Sequence, residues 1–264
     1  MDINLIFIPL LGFLIGLFVS IFGGGGGGLY TPLLILIFGI PTQTAVATSL
    51  ASVLPTTAAG AYSHYGEGNV DIRTGIILGI GGVIGTLIGV YIANLIPPFI
   101  LKKLLGIFSL IMIIPILQSF LKRRKDTRKN KDAENKKETV VLTGYKRIIA
   151  SLFGVASGLM AGIFGLSGTP PVSMGLYILG LPAIMVVGTS VFVLIFNSIT
   201  GIGGYFVLGR LDVMLIILLG SGAVVGAFLG PKLLKRIKPS TFEKIYGPLI
   251  VSISLILGLS LILT

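Results

Sequence analysis

The groups in this 264-residue chain that can do chemistry are backbone amides freed by glycine and a small set of hydroxyls. There is no Cys and only one His, His64. Disulfides, thiolate nucleophiles and cysteine metal sites are therefore excluded, and little room is left for a histidine metal site. Two stretches stand out: six consecutive glycines, Gly23 to Gly28, and Gly165-Leu166-Ser167-Gly168-Thr169-Pro170-Pro171. Each glycine costs a helix about 1 kcal/mol relative to Ala, so both stretches predict a break in otherwise apolar helix. Where helix resumes, its first N–H groups carry partial positive charge and can cradle an anion. Pro170 or Pro171 suits the first turn of such a half-helix. The pattern points to anion binding by Gly24, Gly25, Gly26 and Gly27 at one break and by Ser167, Gly168 and Thr169 at the other. Thr48, Ser49, Thr189, Ser190 and Asn197 add polar groups deep in apolar segments, where such residues usually line a cavity.

The same residues have competing uses. Glycines also permit close helix packing, and Gly79, Gly81, Gly85 and Gly89, with their four-residue spacing, are assigned to that role. Ser and Thr often bond back to their own helix. Asp71 and Asp212 each precede an apolar run and read as helix N-caps. A gating or coupling role for His64, Asp71, Arg73, Arg210 and Asp212 is the lesser alternative. The glycine run lacks the Gly-Lys-Ser/Thr ending of a phosphate-binding loop and an acidic ribose partner, so it is not a nucleotide site. Gly165-Leu166-Ser167-Gly168 matches the GxSG element of rhomboid-type intramembrane serine proteases, but those place their His after the serine. Here the only His comes 103 residues earlier (167 − 64). A serine protease using Ser167 is thus a remote alternative, and the chain is read as a non-enzyme with no cofactor and no metal.

The elements that must hold these groups are membrane helices. A composition of 54% hydrophobic and 11% charged residues, with mean hydropathy +1.03, requires the bilayer as solvent. Apolar stretches run over 3–22, 29–40, 43–65, 74–96 and 99–121, then over 148–166, 170–181, 184–208, 213–230 and 245–263. The second stretch of each half is too short to span comfortably. The first stretch is read as retained, since no Lys or Arg precedes it and membrane segments follow directly. The net charge of +11 does not signal nucleic acid, because residues 121–147 hold 11 of the 20 basic side chains. This region is expected to be a cytoplasmic linker against anionic lipid headgroups.

The second half repeats the first at an offset of 141 residues: Gly39-Ile40-Pro41 falls on Gly180-Leu181-Pro182, Thr48-Ser49 on Thr189-Ser190, Gly68 and Asp71 on Gly209 and Asp212. Phe22-Gly23 meets Phe164-Gly165 at 142, which places a one-residue gap most simply in the glycine run. The expected fold is an all-α polytopic membrane protein with repeats at 1–120 and 148–264 around the 121–147 linker, broken helices at a central site, and about 8–10 membrane segments. An odd number of crossings per repeat places the basic residues of 231–244 on the cytoplasmic side with the linker and gives inverted repeats, an arrangement found in secondary transporters. Oligomeric state is left open.

The residues also resemble the TauE/SafE, or sulfite and organosulfonate exporter-like, family of membrane permeases. The likeness rests on Gly23 to Gly28 followed by Tyr30-Thr31-Pro32-Leu33-Leu34, then Gly39-Ile40-Pro41, Ala45-Val46-Ala47-Thr48-Ser49-Leu50 and Gly68-Asn69-Val70-Asp71, and it covers nearly the whole chain. The resemblance implies ATP-independent secondary transport of small sulfur-containing anions across the cell membrane. An anion channel is the alternative.

Overall fold

The computed structural model describes residues 3–22, 27–114, 144–166, 168–234 and 239–263, and no strand occurs among them. We number the helices α1 Ile3–Phe22, α2 Gly27–Phe38, α3 Thr42–Gly66, α4 Ile72–Leu95, α5 Pro98–Ile111, α6 Gly144–Phe164, α7 Thr169–Ile178, α8 Ala183–Val207, α9 Val213–Leu234 and α10 Pro239–Leu263. The apolar stretches of the sequence thus become helices nearly end for end. Two boundaries differ. Helix α6 begins at Gly144, so Lys146 and Arg147 stand on its first turn rather than in the linker, and α10 begins at Pro239, where proline suits a helix start. Residues 115–143, the bulk of the expected linker, lie outside the described residues.

Three described helices are long and apolar enough to cross a bilayer: Ile72–Leu95, Gly144–Phe164 and Ile184–Val207. At 1.5 Å per residue, α2 and α7 measure only about 18 and 15 Å, roughly half of a hydrocarbon core. The outward faces are the apolar ones. Ile76, Ile80, Ile84, Leu87 and Ile88 of α4 are exposed, while Gly and Thr, with Leu78, Val90 and Ala93, fill its inward faces. This distribution suits lipid outside and close backbone contact within.

Glycine sets the principal helix contacts. A Cβ added at Gly81, Gly85 or Gly89 of α4 would strike the carbonyl oxygens of Ser151, Val155 and Leu159 in α6. One added at Gly154, Gly158 or Gly162 of α6 would strike those of Leu78, Gly82 and Thr86. Contacts rise in the same order along both chains, so α4 and α6 run parallel with their backbones touching. The same construction joins α1 to α9, with Gly12 and Gly16 against the carbonyls of Leu219 and Ala223, and Gly222 and Gly226 against those of Pro9 and Phe13. Gly79 departs from the expected group: it faces Phe196 of α8, because two residues turn a helix by about 200° and so put Gly79 and Gly81 on different faces.

Helices α3 and α8 cross at the centre in opposite directions. Gly60 lies against Val191, and Gly201 against Leu50. Helix α4 runs parallel to α8, as Gly75, Gly79 and Gly204 show by meeting Phe192, Phe196 and Val90 in order. Helix α5 packs on α10, α2 on α3, and α7 on both α6 and α8.

The turns before α4 and α9 are built alike. Asn69 N–H donates to His64 O and Arg210 N–H to Tyr205 O, with Gly68 and Gly209 at φ +69° and +63° supplying the left-handed residue each turn requires. The turns after α2 and α7, by contrast, differ in length. There Ile40 N–H reaches back six residues to Leu34 O, whereas Leu181 N–H reaches back five to Leu176 O.

Candidate functional site

The second break occurs where glycine and proline predict it: helix ends at Phe164 and resumes at Thr169. In the first half the described helix runs to Phe22 and again from Gly27, on either side of Gly23 to Gly26. Gly24, Gly25, Gly26 and Ser167 lie outside the described residues. At the second break Gly165 and Gly168 hold φ of +68° and +70°, a conformation that strains any residue with a Cβ. Gly168 is the N-cap of α7, and Pro170 and Pro171 sit in its first turn. The prolines fit that turn but carry no N–H, so this helix end offers fewer amide donors than α2, whose first turn is Gly27-Gly28-Leu29-Tyr30.

The two breaks adjoin. A Cβ on Gly28 would stand 3.7 Å from Leu166 Cδ2, and Leu166 packs in the cluster that contains Tyr30 and Leu34 of α2. Gly165 is enclosed by the first half of the chain: an added Cβ would lie 2.6 Å from Thr31 Oγ1 of α2 and 2.9 Å from Val46 Cα of α3. Ser49 Oγ donates to Gly165 O at 2.9 Å. Gly168 rests on the second half, where an added Cβ would strike Ser157 Oγ and lie 3.1 Å from Asn197 Nδ2. That amide donates to Ser157 Oγ at 2.9 Å.

Several polar atoms in this core have no hydrogen-bond partner although they are buried: Thr31 Oγ1, Thr48 Oγ1, Tyr30 OH, Thr86 Oγ1 and Asn197 Oδ1. Thr31 and Thr48 are fully buried. A buried hydroxyl left without a partner costs roughly 1–3 kcal/mol, so such groups mark places where a ligand or water completes the bonding. Thr31 and Tyr30 were not among the residues picked out as anion donors from the sequence. Their signal was present in the Tyr-Thr-Pro triplet directly after the glycine run.

The remaining residues take varied places. Thr189 Oγ1 accepts from Asp71 N–H at 2.9 Å, and Ser190 Oγ lies 3.2 Å from Ser173 Oγ. These join the start of α8 to the start of α4 and to α7. Asp71 is an N-cap, its Oδ1 accepting from Thr74 N–H at 3.1 Å and its Oδ2 from Thr74 Oγ1 at 2.8 Å. Asp212 accepts from Leu215 N–H at 3.0 Å. Both carboxylates are thus engaged at helix starts, away from the breaks. Arg73 is exposed, as is Arg210, which reaches Asn94 Oδ1 at 3.4 Å. His64 packs beside Gly188 at the end of α3, with Nδ1 buried and unpartnered. No cluster of metal-ligating residues occurs among the described residues.

Comparison with known proteins places this arrangement. The profile of the family described as "Sulfite exporter TauE/SafE" matches residues 8–257. The chain belongs to that family. It is 34% identical over 222 residues to the "Probable membrane transporter protein YdhB" of Bacillus subtilis, covering 83% of this chain and 86% of that one. It is 30% identical over 264 residues to the "Probable membrane transporter protein YjnA" of the same organism, covering 97% and 98%. A probable membrane transporter protein of Methanocaldococcus jannaschii is 29% identical over 257 residues, at 89% of each. No solved structure matches significantly. With its apolar helices, the chain is a membrane protein.

Proposed function

We propose that this protein is a secondary permease for small anions, sulfite and organosulfonates foremost, working by alternating access without ATP. The observation that carries the reading is the meeting of the two helix breaks at a fully buried place where the Thr31 hydroxyl points at Gly165 without a partner. An oxyanion there takes hydroxyl donors from Thr31 and Thr48, amide donors from the start of α2, and whatever the glycines of the run and Ser167 add. The description of the family as sulfite exporters supports the cargo class, and the transporter names of the relatives support transport.

Two further observations support alternating access between inverted repeats. Exchanging helices α1–α5 with α6–α10 leaves the principal packing nearly unchanged: α4 on α6 answers α9 on α1, α4 on α8 answers α9 on α3, and α3 on α8 and α5 on α10 answer themselves. Equivalent helices α3 and α8 run in opposite directions, as inversion requires. The second observation is a difference between equivalent hydroxyls. Thr189 is bonded to the N-cap amide of α4, whereas its counterpart by register, Thr48, has no partner. One latch is closed and the other open, and rocking one repeat against the other exchanges them.

Topology follows from the same directions. Helix α8 runs parallel to α6, Ser157 meeting Asn197 and Gly162 meeting Tyr205. The turn at 208–212 reverses the chain into α9. The end of α9 and the start of α6, which carries Lys146 and Arg147, then share a side, which we assign to the cytoplasm by the positive-inside rule.

Counterflow in proteoliposomes tests the proposal. A carrier preloaded with unlabelled sulfite or taurine-like sulfonate accumulates the labelled anion transiently; a channel does not. Absence of movement with every sulfur anion removes the proposed cargo class. An intramembrane protease would instead cleave a spanning peptide in detergent and lose that activity in Ser167→Ala.

A further inference from the structure

The interior around the breaks contains no formal charge. Neither Asp, Glu, Lys, Arg nor His stands anywhere between Asp2 and His64, or between Arg147 and Arg210. Those two intervals hold both breaks and the helices that enclose them, α1 to α3 and α6 to α8. The other helices packed on these are likewise free of them over most of their length: α4 between Arg73 and Lys102, α5 after Lys103, α9 between Asp212 and Lys232, and α10 after Glu243 and Lys244. The flanking charges sit at helix ends: His64, Glu67, Asp71 and Arg73 at one turn, Arg210 and Asp212 at its counterpart, Lys102 and Lys103 on the first turns of α5. Two buried phenols, Tyr30 and Tyr205, are the ionisable groups within; the hydroxyl of Tyr205 is held by Gly162 O at 2.7 Å. An ordinary phenol ionises near pH 10.

From this we infer that the site selects a singly charged oxyanion, rejects dianions, and uses no side chain of its own to carry a coupling proton. The inference rests on the anion-permease reading above. Each helix N-terminus compensates about half a unit of negative charge, and that of α7 less, because Pro170 and Pro171 lack N–H groups. Two such ends and neutral hydroxyls balance one charge and leave a second uncompensated in a medium of low dielectric, where an unpaired charge is strongly disfavoured. Nor is there an interior carboxylate or imidazole to take up a proton between the two access states. A proton that crosses with sulfite therefore crosses on the anion, as bisulfite.

The test uses the full-length protein in proteoliposomes with three probes: labelled sulfite, whose second ionisation falls near neutrality; methanesulfonate, a single charge at every pH used; and sulfate, a dianion throughout. The KM expressed in total sulfite should rise with pH, approaching about tenfold per unit once most of the anion is doubly charged, while the KM expressed in bisulfite stays constant. Methanesulfonate should inhibit equally at each pH, which separates titration of the cargo from titration of His64 or another group of the protein. Sulfate should bind at least about a hundredfold more weakly than methanesulfonate. If sulfate competes as well as methanesulfonate, or if the KM for total sulfite is unchanged or falls as pH rises, the single-charge inference is overturned while the permease stands. If neither sulfite nor methanesulfonate is moved or bound, it is the permease reading with these cargoes that falls.

Discussion

Replacing one glycine by alanine should have opposite effects at two helical positions, and the structure gives the sign of each. In Gly158→Ala the new Cβ stands 2.6 Å from Thr86 N and 2.9 Å from Gly82 C, and nearer still to Gly82 O. Carbon atoms pack at about 3.5–4.0 Å, so α4 and α6 must part by about 1 Å, loosening the matching contacts at Gly81, Gly85, Gly154 and Gly162. Overpacking of this kind costs about 1–3 kcal/mol, against which alanine's helix preference returns up to about 1 kcal/mol. The expected net loss is about 1–2 kcal/mol. In Gly220→Ala, also within a helix, the Cβ meets nothing within 4 Å, so only the gain of up to about 1 kcal/mol remains. For a chain of this size 1 kcal/mol corresponds to roughly 2–4 °C, so the first variant should melt roughly 2–8 °C lower and the second up to roughly 4 °C higher. The chain has no Trp, so melting is best followed by circular dichroism at the helix band in one detergent. Equal falls in both variants, or no fall in Gly158→Ala, would refute backbone contact between α4 and α6.

Three other substitutions separate roles that the sequence alone leaves merged. Thr31→Val removes a buried hydroxyl that has no partner; thermal stability without anion should hold or rise by about 1–3 kcal/mol, while sulfite transport and protection by the anion are lost, and a fall in stability with transport intact would make Thr31 structural. Thr189→Val leaves Asp71 N–H without its acceptor, opening that latch; labelling of Val70→Cys by an impermeant maleimide should quicken, and should not in Thr48→Val. Asp71→Ala and Asp212→Ala should each lose about 0.5–2 kcal/mol of stability as caps, with Asn restoring most of it and leaving transport intact; transport lost in both Asn variants would assign these carboxylates to coupling instead.

How far the sequence reveals this molecule depends on whether a signal is local. The break between Phe164 and Thr169 was legible because a glycine–proline run overrides helix whatever surrounds it. The N-caps at Asp71 and Asp212 were legible for the same reason, each bonding an amide three residues on. The assignment of Gly81, Gly85 and Gly89 to packing was legible as a face, but their partner α6 was not, since nothing in a helix face names the helix it meets. Gly79 belongs to the same glycine series, but the two-residue step to Gly81 sends it to α8 instead. The one-residue gap between the two registers falls most simply in the glycine run, because glycines align with anything, and Gly23 to Gly26 lie outside the described residues.

Thr48 and Thr189 mark the limit of reading by type. Each is a threonine followed by serine, near the start of a long helix, and fully buried. Their sequences give no reason for one hydroxyl to accept an amide hydrogen bond at 2.9 Å and the other to have none. The difference lies in what each helix start packs against. Gly188, before Thr189, lets α8 close on Asn69 O and His64, and a Cβ there would strike that carbonyl. The residue before Thr48 is Ala47, buried in the cluster that contains Tyr205. On the proposed exchange, the methyl group at 47 and its absence at 188 favour closure at the Thr189 end and make the two states unequal. Gly188→Ala should reduce that inequality, raising maleimide labelling of Val70→Cys in the same direction as Thr189→Val but without removing a hydrogen-bonding atom. Unchanged labelling in Gly188→Ala would mean that steric fit at position 188 does not set the resting state, and that the Thr189 hydrogen bond alone holds it.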